Sequence, residues 1–473
     1  MTAKTRRRQP AFGQIRQVHM VGIGGIGMSS IAEVLLARGY RVTGSDLKLS
    51  DVTEHLTERG AIVYEGHDAA HVGEADVVVY SSAVKPAANP ETLEAEGRRL
   101  PLISRAVMLG ELMRMQFGIG IAGTHGKTTT TTLTGLVVGE GGFDPTIIVG
   151  GKVSVFGSNA VSGEGDIIII EADEYDRTFL RLTPSLAVIT NIEADHLDIY
   201  ADLDDIKAAF AEYANSVPFF GATIVCLDDP QVQAILGQMD RRIITYGTTR
   251  QAQVRAERIT QEGLISHFSV YNDQEELGRV SLQAPGLHNV RNALAAIAVG
   301  LELQMGFDDI MAGLARFSGV QRRFHLLGEV NDVLLVDDYA HHPTEVAATL
   351  AAASAGWRDR RIVAVFQPHL YSRTRDFQDA FARAFFNADV LVVTEVYPAR
   401  EAPIEGVGGH LIADLARRYG HRDVHYVPDK HDLPAYVADL ACPGDTLITM
   451  GAGDIWRISR ALLDRLTDHT PDG

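Results

Sequence analysis

Cysteine is nearly absent: Cys226 and Cys442 are the only two in 473 residues. They form no metal-spaced pair and no disulfide framework, and so low a thiol content fits a reducing cytoplasm. Long apolar runs are missing as well. No segment reaches the roughly 20 apolar residues that a membrane span needs, so no membrane insertion is expected. Basic residues are in deficit, 43 Lys and Arg against 61 Asp and Glu, for a formal net charge of −18. Such a chain repels a phosphate backbone overall, which argues against a general nucleic-acid binder and leaves room for local basic pockets. The start, Lys4-Thr-Arg-Arg-Arg8, leads into no apolar signal core and reads as a frayed tail rather than an address. Short-period repeats and low-complexity tracts are also lacking.

What is present is a succession of short apolar runs separated by helical stretches, the pattern of parallel α/β architecture. The length suits about three domains of roughly 150 residues each. The composition shifts place them at residues 1–116, 117–322 and 323–473, with Gly319–Phe324 as the hinge between the last two. Val254–Leu282 alternates and reads as a small antiparallel insertion. Thr374–Asn387 reads as one helix.

The most telling segment is Phe117-Gly-Ile-Gly-Ile-Ala-Gly-Thr-His-Gly-Lys-Thr-Thr-Thr130. A strand-like run ends in a glycine turn and a helix begins near Lys127. Gly123 and Gly126 let backbone N–H groups approach an anion, and the helix start adds its dipole. Lys127 suits the outer phosphates of a nucleotide and the Thr128 hydroxyl suits its Mg²⁺. The match to the usual phosphate loop is imperfect, because Ile121 stands where the pattern has its first glycine.

The first domain carries Gly22-Ile-Gly-Gly-Ile-Gly27 between a strand and a helix, with Asp46 at the end of the next strand. This is the dinucleotide fingerprint, and it reports a diphosphate over a helix start without saying which nucleotide. NAD, FAD and a UDP-sugar all satisfy it. In the second domain Glu171, Asp173 and Glu174 follow the apolar run 167–170. A carboxylate at the end of a central strand beside a phosphate loop is where Mg²⁺ is held. His196 lies among acids in Asn191-Ile-Glu-Ala-Asp-His-Leu-Asp198, either a solvated loop histidine or part of a second metal site. Asn289 and Asn292 share one face of a helix start, suited to reading an adenine edge or to capping the helix. The third domain ends two strands in dense polar clusters, Asp337-Asp-Tyr-Ala-His-His-Pro-Thr-Glu345 and Gln367-Pro-His-Leu-Tyr-Ser-Arg-Thr-Arg375. Arg322, Arg323, Arg373 and Arg375 are natural clamps for phosphates and carboxylates.

In their joint order these motifs, with Gly319-Val-Gln-Arg-Arg-Phe324 and Gly451-Ala-Gly-Asp454, resemble the Mur ligase family over nearly the whole chain. Within the family they are most similar to its alanine-adding members. The resemblance implies an N-terminal Rossmann-like domain that binds a UDP-sugar, a central P-loop ATPase-like α/β domain, and a C-terminal Rossmann-like α/β domain that brings in the amino acid. It implies ATP-dependent joining of L-alanine to the lactyl carboxylate of UDP-N-acetylmuramate through an acyl phosphate. That reaction belongs to bacterial peptidoglycan precursor synthesis, and so to cell-wall biogenesis, cell shape and division.

The roles implied for residues follow from the same resemblance. Gly123, Thr124, His125, Gly126, Lys127, Thr128 and Thr129 would form the ATP phosphate site, with Asn289 and Asn292 at adenine, Arg323 at phosphate and Asp338 on the nucleotide after closure about Gly319–Arg323. Thr128 and Glu171 would hold one Mg²⁺ and His196 a second, with Mn²⁺ able to substitute. His125 would lie near the lactyl carboxylate. Gly22, Gly24, Gly25, Gly27, Ser45, Asp46, His67, Ser81 and Ser82 would meet the UDP-sugar, and Tyr339, His341 and Arg373 the alanine. The oligomeric expectation is a monomer or homodimer.

Two departures stand out. Many family members carry a carbamylated lysine on the helix after the His196 loop, and Lys207 falls one turn too early to match it. The alanine-adding members lack that lysine too. Leu370 occupies a position where some relatives have arginine. The rival readings are a ligase that attaches a preformed peptide to the same UDP-sugar, a nicotinamide dehydrogenase and a P-loop regulatory switch.

Overall fold

The structure, a computed structural model, describes residues 12–150, 159–197, 199–399 and 401–468. Lys4–Arg8 and Asp198 lie outside them. The chain divides into two compact units. One takes the chain up to Arg255 together with Tyr271–Glu275 and Arg291–Arg316; the other takes Ala256–Val270, Glu276–Val290 and the chain from Phe317.

The first unit holds a five-stranded sheet of Gln17–Val21, Arg41–Asp46, Ile62–Glu65, Val77–Tyr80 and Leu102–Ser104. All neighbouring pairs are parallel, and the spatial order is third, second, first, fourth, fifth. The chain reverses direction across the sheet at Gln17–Val21. In such sheets the crevice beyond the strand ends at that point is where ligands bind.

The same unit contains the core of a second sheet, with Phe117–Ala122 between Ile167–Glu171 and Leu186–Ile189, parallel to both. Ala222–Cys226 and Ile243–Gly247 extend it on one side; Thr146–Ile148 and Ala160–Val161 extend it on the other and pair antiparallel with each other. Ile168, Ile169 and Ile170 are fully buried. A strand covered on both faces has no need to alternate, which is why this segment reads as an unbroken apolar run. Each such side chain contributes about 1.5–3 kcal/mol on burial.

Three consecutive strands, Val254–Glu262, Ile265–Asn272 and Glu275–Leu282, lie side by side in that order. Two-residue connections make them hairpins, in keeping with the alternation of their sequence.

The second unit also holds a six-stranded sheet ordered His325–Val330, Val333–Asp338, Asp445–Met450, Arg361–Phe366, Val390–Val393, Val424–Tyr426. Only the first pair is antiparallel. The two-residue period divides its strands between two cores: Val336, Phe366 and Ile448 face one, and Leu335, Val365 and Leu447 the other. The expected single helix at 374–387 is instead two, Tyr371–Asp376 and Gln378–Ala384, separated at Phe377 (φ −113°, ψ 17°). The apolar periodicity of the segment does not reveal that backbone break.

Candidate active site

The loop after Phe117–Ala122 makes a tight turn with left-handed residues at Gly123 (φ +138°) and Gly126 (φ +82°). A Cβ on Gly123 would stand 1.9 Å from Thr190 Oγ1, and one on Gly126 would stand 2.6 Å from Asn292 Oδ1. Space and backbone conformation both demand glycine at these two places. Neighbouring strand ends hold the loop in shape. His125 N donates to Asn191 Oδ1 at 2.8 Å, the His125 carbonyl accepts from Thr190 Oγ1 at 2.6 Å, and Glu193 N donates to Thr124 Oγ1 at 2.9 Å. His125 Nε2 lies 3.5 Å from Glu193 Oε2. The helix Lys127–Glu140 then begins, with Thr129 and Thr130 buried in its first turn. Thr130 Oγ1 donates to Asn292 Oδ1 at 3.2 Å.

Lys127 and Thr128 at the start of this helix meet the acids that close the isoleucine strand. Thr128 Oγ1 donates to Glu171 Oε1 at 3.0 Å, and Gly150 N donates to Glu171 Oε2 at 2.7 Å. Lys127 Nζ donates to Glu174 Oε2 at 2.7 Å and to the Gly123 carbonyl at 2.7 Å. His196, in the left-handed region at φ +54°, brings Nε2 to 3.7 Å from Glu174 Oε1. Lys127, Thr128, Glu171, Glu174 and His196 therefore form one cluster. Lys207, on the helix Leu203–Asn215, pairs with Asp204 at 2.6 Å instead of joining it.

Burial sets the charges here. It pushes the Glu171 carboxyl up, against the Gly150 N–H and Lys127, and pushes Glu174 up to about 7 despite Lys127. Burial alone would push the Lys127 ammonium down, but Glu174, Asp173 and Glu171 more than offset it and hold it above its ordinary value. In sequence Glu174 stands only as one of three acids after the strand. Its ion pair with Lys127 spans 47 residues and has no local signal. Two hard oxygen donors, Thr128 Oγ1 and a Glu171 carboxylate raised by burial, suit a small divalent cation. The amide oxygen of Asn292 is used on Thr130, while Asn289 Nδ2 donates to the Pro285 carbonyl at 2.8 Å, a helix-start contact.

At the first sheet, Gly22, Gly24, Gly25, Asp46, His67 and Ser81 line a cavity of about 630 Å³, together with Lys48, Lys85, Asn89 and Pro90. Gly22 takes φ +80°, and its missing Cβ would lie 3.0 Å from Ser81 Cβ. Gly24 N donates to Asp46 Oδ2 at 2.8 Å. Gly27 lies under Arg105, whose Nη1 is 2.3 Å from where a Cβ would be. Gly27, Ser45 and Ser82 are not among the lining residues. Lys48 and Lys85 have no sequence signal, because lysines in loops after strands carry no distinguishing pattern.

Ser45 is buried beneath the cavity and donates to Glu91 Oε2 at 2.5 Å. Glu91 also meets His71 Nδ1 at 3.0 Å, His67 Nδ1 at 3.4 Å and His19 Nε2 at 3.6 Å. Burial opposes its charge, yet His19 at 3.6 Å, together with the hydrogen bonds from Ser45 and His71, prevails and holds its carboxyl at about 2.

In the second unit Asp338 ends a central strand and accepts from Phe324 N and Ala340 N, both at 2.7 Å. Burial pushes it up to about 6, with Arg323 pulling the other way. Arg323 Nη1 pairs with Glu345 Oε1 at 3.1 Å, and its guanidinium lies 5.0 Å from the Tyr339 ring centroid. His341 Nδ1 is 3.1 Å from Glu345 Oε2, and its ring meets His369 edge-on at 5.9 Å. His369 stacks on Tyr397 at 5.7 Å, and Arg373 Nη1 is 3.5 Å from His369 Nδ1. Tyr339, Arg323, His341, His369 and Arg373 are thus brought together at one sheet edge. Leu370 takes φ +70° at the start of the helix that carries Arg373.

Comparison with known proteins bears on the whole chain. The model of the Mur ligase family catalytic domain matches residues 17–117, that of the Mur ligase middle domain residues 121–300, and that of the Mur ligase glutamate ligase domain residues 322–453. A protein of Salinibacter ruber named UDP-N-acetylmuramate–L-alanine ligase is 66% identical over 460 residues, 97% of each chain. One of the same name from Syntrophotalea carbinolica is 50% identical over 96% of this chain and 99% of its own. Among solved structures, UDP-N-acetylmuramate-alanine ligase MurC of Thermotoga maritima is 28% identical with a TM-score of 0.78, covering 96% of this chain and 99% of its own. A murein peptide ligase of Psychrobacter arcticus is 27% identical with a TM-score of 0.66 over the same shares.

Proposed function

Because the chain belongs to the Mur ligase family, we propose that it joins L-alanine to the lactyl carboxylate of UDP-N-acetylmuramate at the expense of ATP, in peptidoglycan precursor synthesis. The observation that carries this reading is the cluster of Lys127, Thr128, Glu171 and His196 on a glycine turn, in a chain 66% identical along 97% of its length to a protein named for that reaction. We assign residues 1–116 to the UDP-sugar, 117–322 to ATP and 323–473 to the amino acid. No helix among the described residues is long and apolar enough to cross a membrane.

A carboxylate is a poor acyl donor until it gains a leaving group. One carboxylate oxygen attacks the γ-phosphorus in line, the bond to the β-bridging oxygen breaks, and ADP leaves. The alanine nitrogen then attacks the acyl carbon, phosphate departs and the ammonium proton is lost. Lys127 exchanges Glu174 for the transferring phosphoryl group, where a fixed cation in a dry site acts most strongly. The N–H groups of the Gly123–Thr129 turn hold the neighbouring phosphates. Thr128 and Glu171 would hold Mg²⁺, or Mn²⁺ in its place, and His196 with Glu174 offers donors for a second ion; the ion neutralises charge on the phosphates. His125 faces the carboxylate. Asn289 and Asn292 serve adenine, and Arg323 and Asp338 the nucleotide. Tyr339, His341 and Arg373 orient alanine, the guanidinium taking its carboxylate. Gly22, Gly24, Gly25, Asp46, His67 and Ser81 take the UDP-sugar, with Gly27, Ser45 and Ser82 assigned to the same ligand from outside the lining.

The test is phosphate release with ATP, Mg²⁺ and UDP-N-acetylmuramate, with each L-amino acid and with the tripeptide. Release that depends on both the sugar and alanine supports the reading. Release driven by the tripeptide would assign the chain to the peptide-attaching branch. Release indifferent to both would make it a nucleotide switch.

A further inference from the structure

Glu91 takes no part in the chemistry above, yet Ser45, His67, His71 and His19 all converge on its carboxylate. It sits in the first turn of the helix Pro90–Gly97, which Asn89 caps through the Glu91 and Thr92 N–H groups. Its side chain is fully buried. An acid there gains from the helix dipole, and an ionised one has acceptors only. Ser45 has a single hydroxyl proton, and the 2.5 Å contact gives it to Glu91. The 2.9 Å contact between Ser45 Oγ and His67 Nδ1 then needs its proton from the imidazole. Nδ1 of His67 is therefore the protonated nitrogen. Both polar contacts of the ring fall on Nδ1, which leaves Nε2 to serve the cavity that His67 lines. A neutral ring protonated on Nδ1 is an acceptor at Nε2.

We propose that Glu91 is a positioning residue for the nucleotide-sugar: through Ser45 it fixes the Nδ1–H tautomer of His67, so that Nε2 accepts a hydrogen bond from an N–H or O–H donor of that ligand. This rests on the UDP-sugar reading of the cavity. The logic is that of a buried carboxylate setting which imidazole nitrogen carries the proton, here for recognition instead of proton transfer. His19 and His71 close the other sides of the carboxylate. His19 Nδ1 is engaged with Thr43 Oγ1 at 2.9 Å, and the His71 ring stacks on Tyr64 at 4.3 Å. Neither lines the cavity, so the coupling to ligand runs through His67.

The test uses the full-length enzyme with Glu91→Gln, Ser45→Ala and the double variant. Nitrogen-15 NMR of histidine-labelled wild type should show His67, assigned with His67→Gln, in the Nδ1–H form. Both single variants should shift it toward the Nε2–H form. The KM for the UDP-sugar should rise on the order of 10-fold or more, by analogy with the outer partners of metal-ligating imidazoles. The kcat and the KM for ATP should stay within about twofold. The double variant should be no worse than the poorer single one, because both break one relay. If Glu91→Gln lowers kcat and both KM values deteriorate together with thermal stability, Glu91 is merely structural. If the variants bind the sugar normally, or His67 keeps its tautomer, the relay is wrong. If wild-type protein itself fails to bind the UDP-sugar by calorimetry, the cavity assignment has failed, a result distinct from either.

Discussion

Replacing Lys127 with methionine removes the ammonium and keeps most of the apolar stem. Two consequences can be sized from the geometry. The first concerns chemistry. A single fixed donor to developing charge is worth about 10²–10³ in rate, so formation of the acyl phosphate should slow by at least that factor. UDP-sugar affinity should survive, because its cavity lies on a different sheet. The second concerns stability. Glu174 is raised from 4.5 to about 7 with Lys127 present. At ~1.4 kcal/mol per pH unit, the buried charge costs about 3 kcal/mol once ionised. For an acid whose folded pKa is raised, that cost is absent below the unfolded value of 4.5, grows as pH rises and is complete above about 7. Without Lys127 the carboxyl moves higher still. The contribution of Glu174 to wild-type stability should level off above about pH 7, while that of Lys127→Met keeps falling. Denaturant titrations from about pH 5 to pH 9 check the sign, and Lys127→Met with Glu174→Gln should abolish the extra slope without restoring turnover. Phosphate-release assays check the rate. A Lys127→Met enzyme within tenfold of wild type, or one whose stability loss is independent of pH, would refute the reasoning.

Glu171→Ala should raise the Mg²⁺ concentration for half-maximal rate on the order of 100-fold, read by titrating the metal at fixed ATP; an unchanged requirement would remove Glu171 from the cation site. Gly123→Ala must fit a Cβ at φ +138° within 1.9 Å of Thr190 Oγ1, so it should cost about 2 kcal/mol or more and lose ATP binding, measured by thermal unfolding and calorimetry. Asp338, held up at about 6 by burial, destabilises the fold increasingly from pH 3.8 to about 6. Asp338→Asn should flatten the stability profile over that window in denaturant titrations, and an unaltered profile would mean the carboxyl titrates normally.

The sheets are legible because parallel strands buried on both faces leave unbroken apolar runs, as at 167–170 and 362–366. The glycine turns were legible for a local reason: Gly123 and Gly126 are dictated by their own backbone conformation. Glu174 and Glu91 were not. Each is a buried acid made tolerable by partners far away in sequence, Lys127 for one and Ser45, His67 and His71 for the other. A sequence shows an acid after a strand or in a helix start; it does not show which cation or hydroxyl will fold against it. The division of 374–387 into two helices turns on the backbone of Phe377, which its apolar pattern does not encode.

The central claim is that the sugar's carboxylate is phosphorylated before the amine arrives. UDP-N-acetylmuramate labelled with heavy oxygen in that carboxylate should pass one label to the phosphate released during turnover with ATP and L-alanine, detected by mass spectrometry. Released phosphate free of label, with the product amide formed at a normal rate, would contradict it.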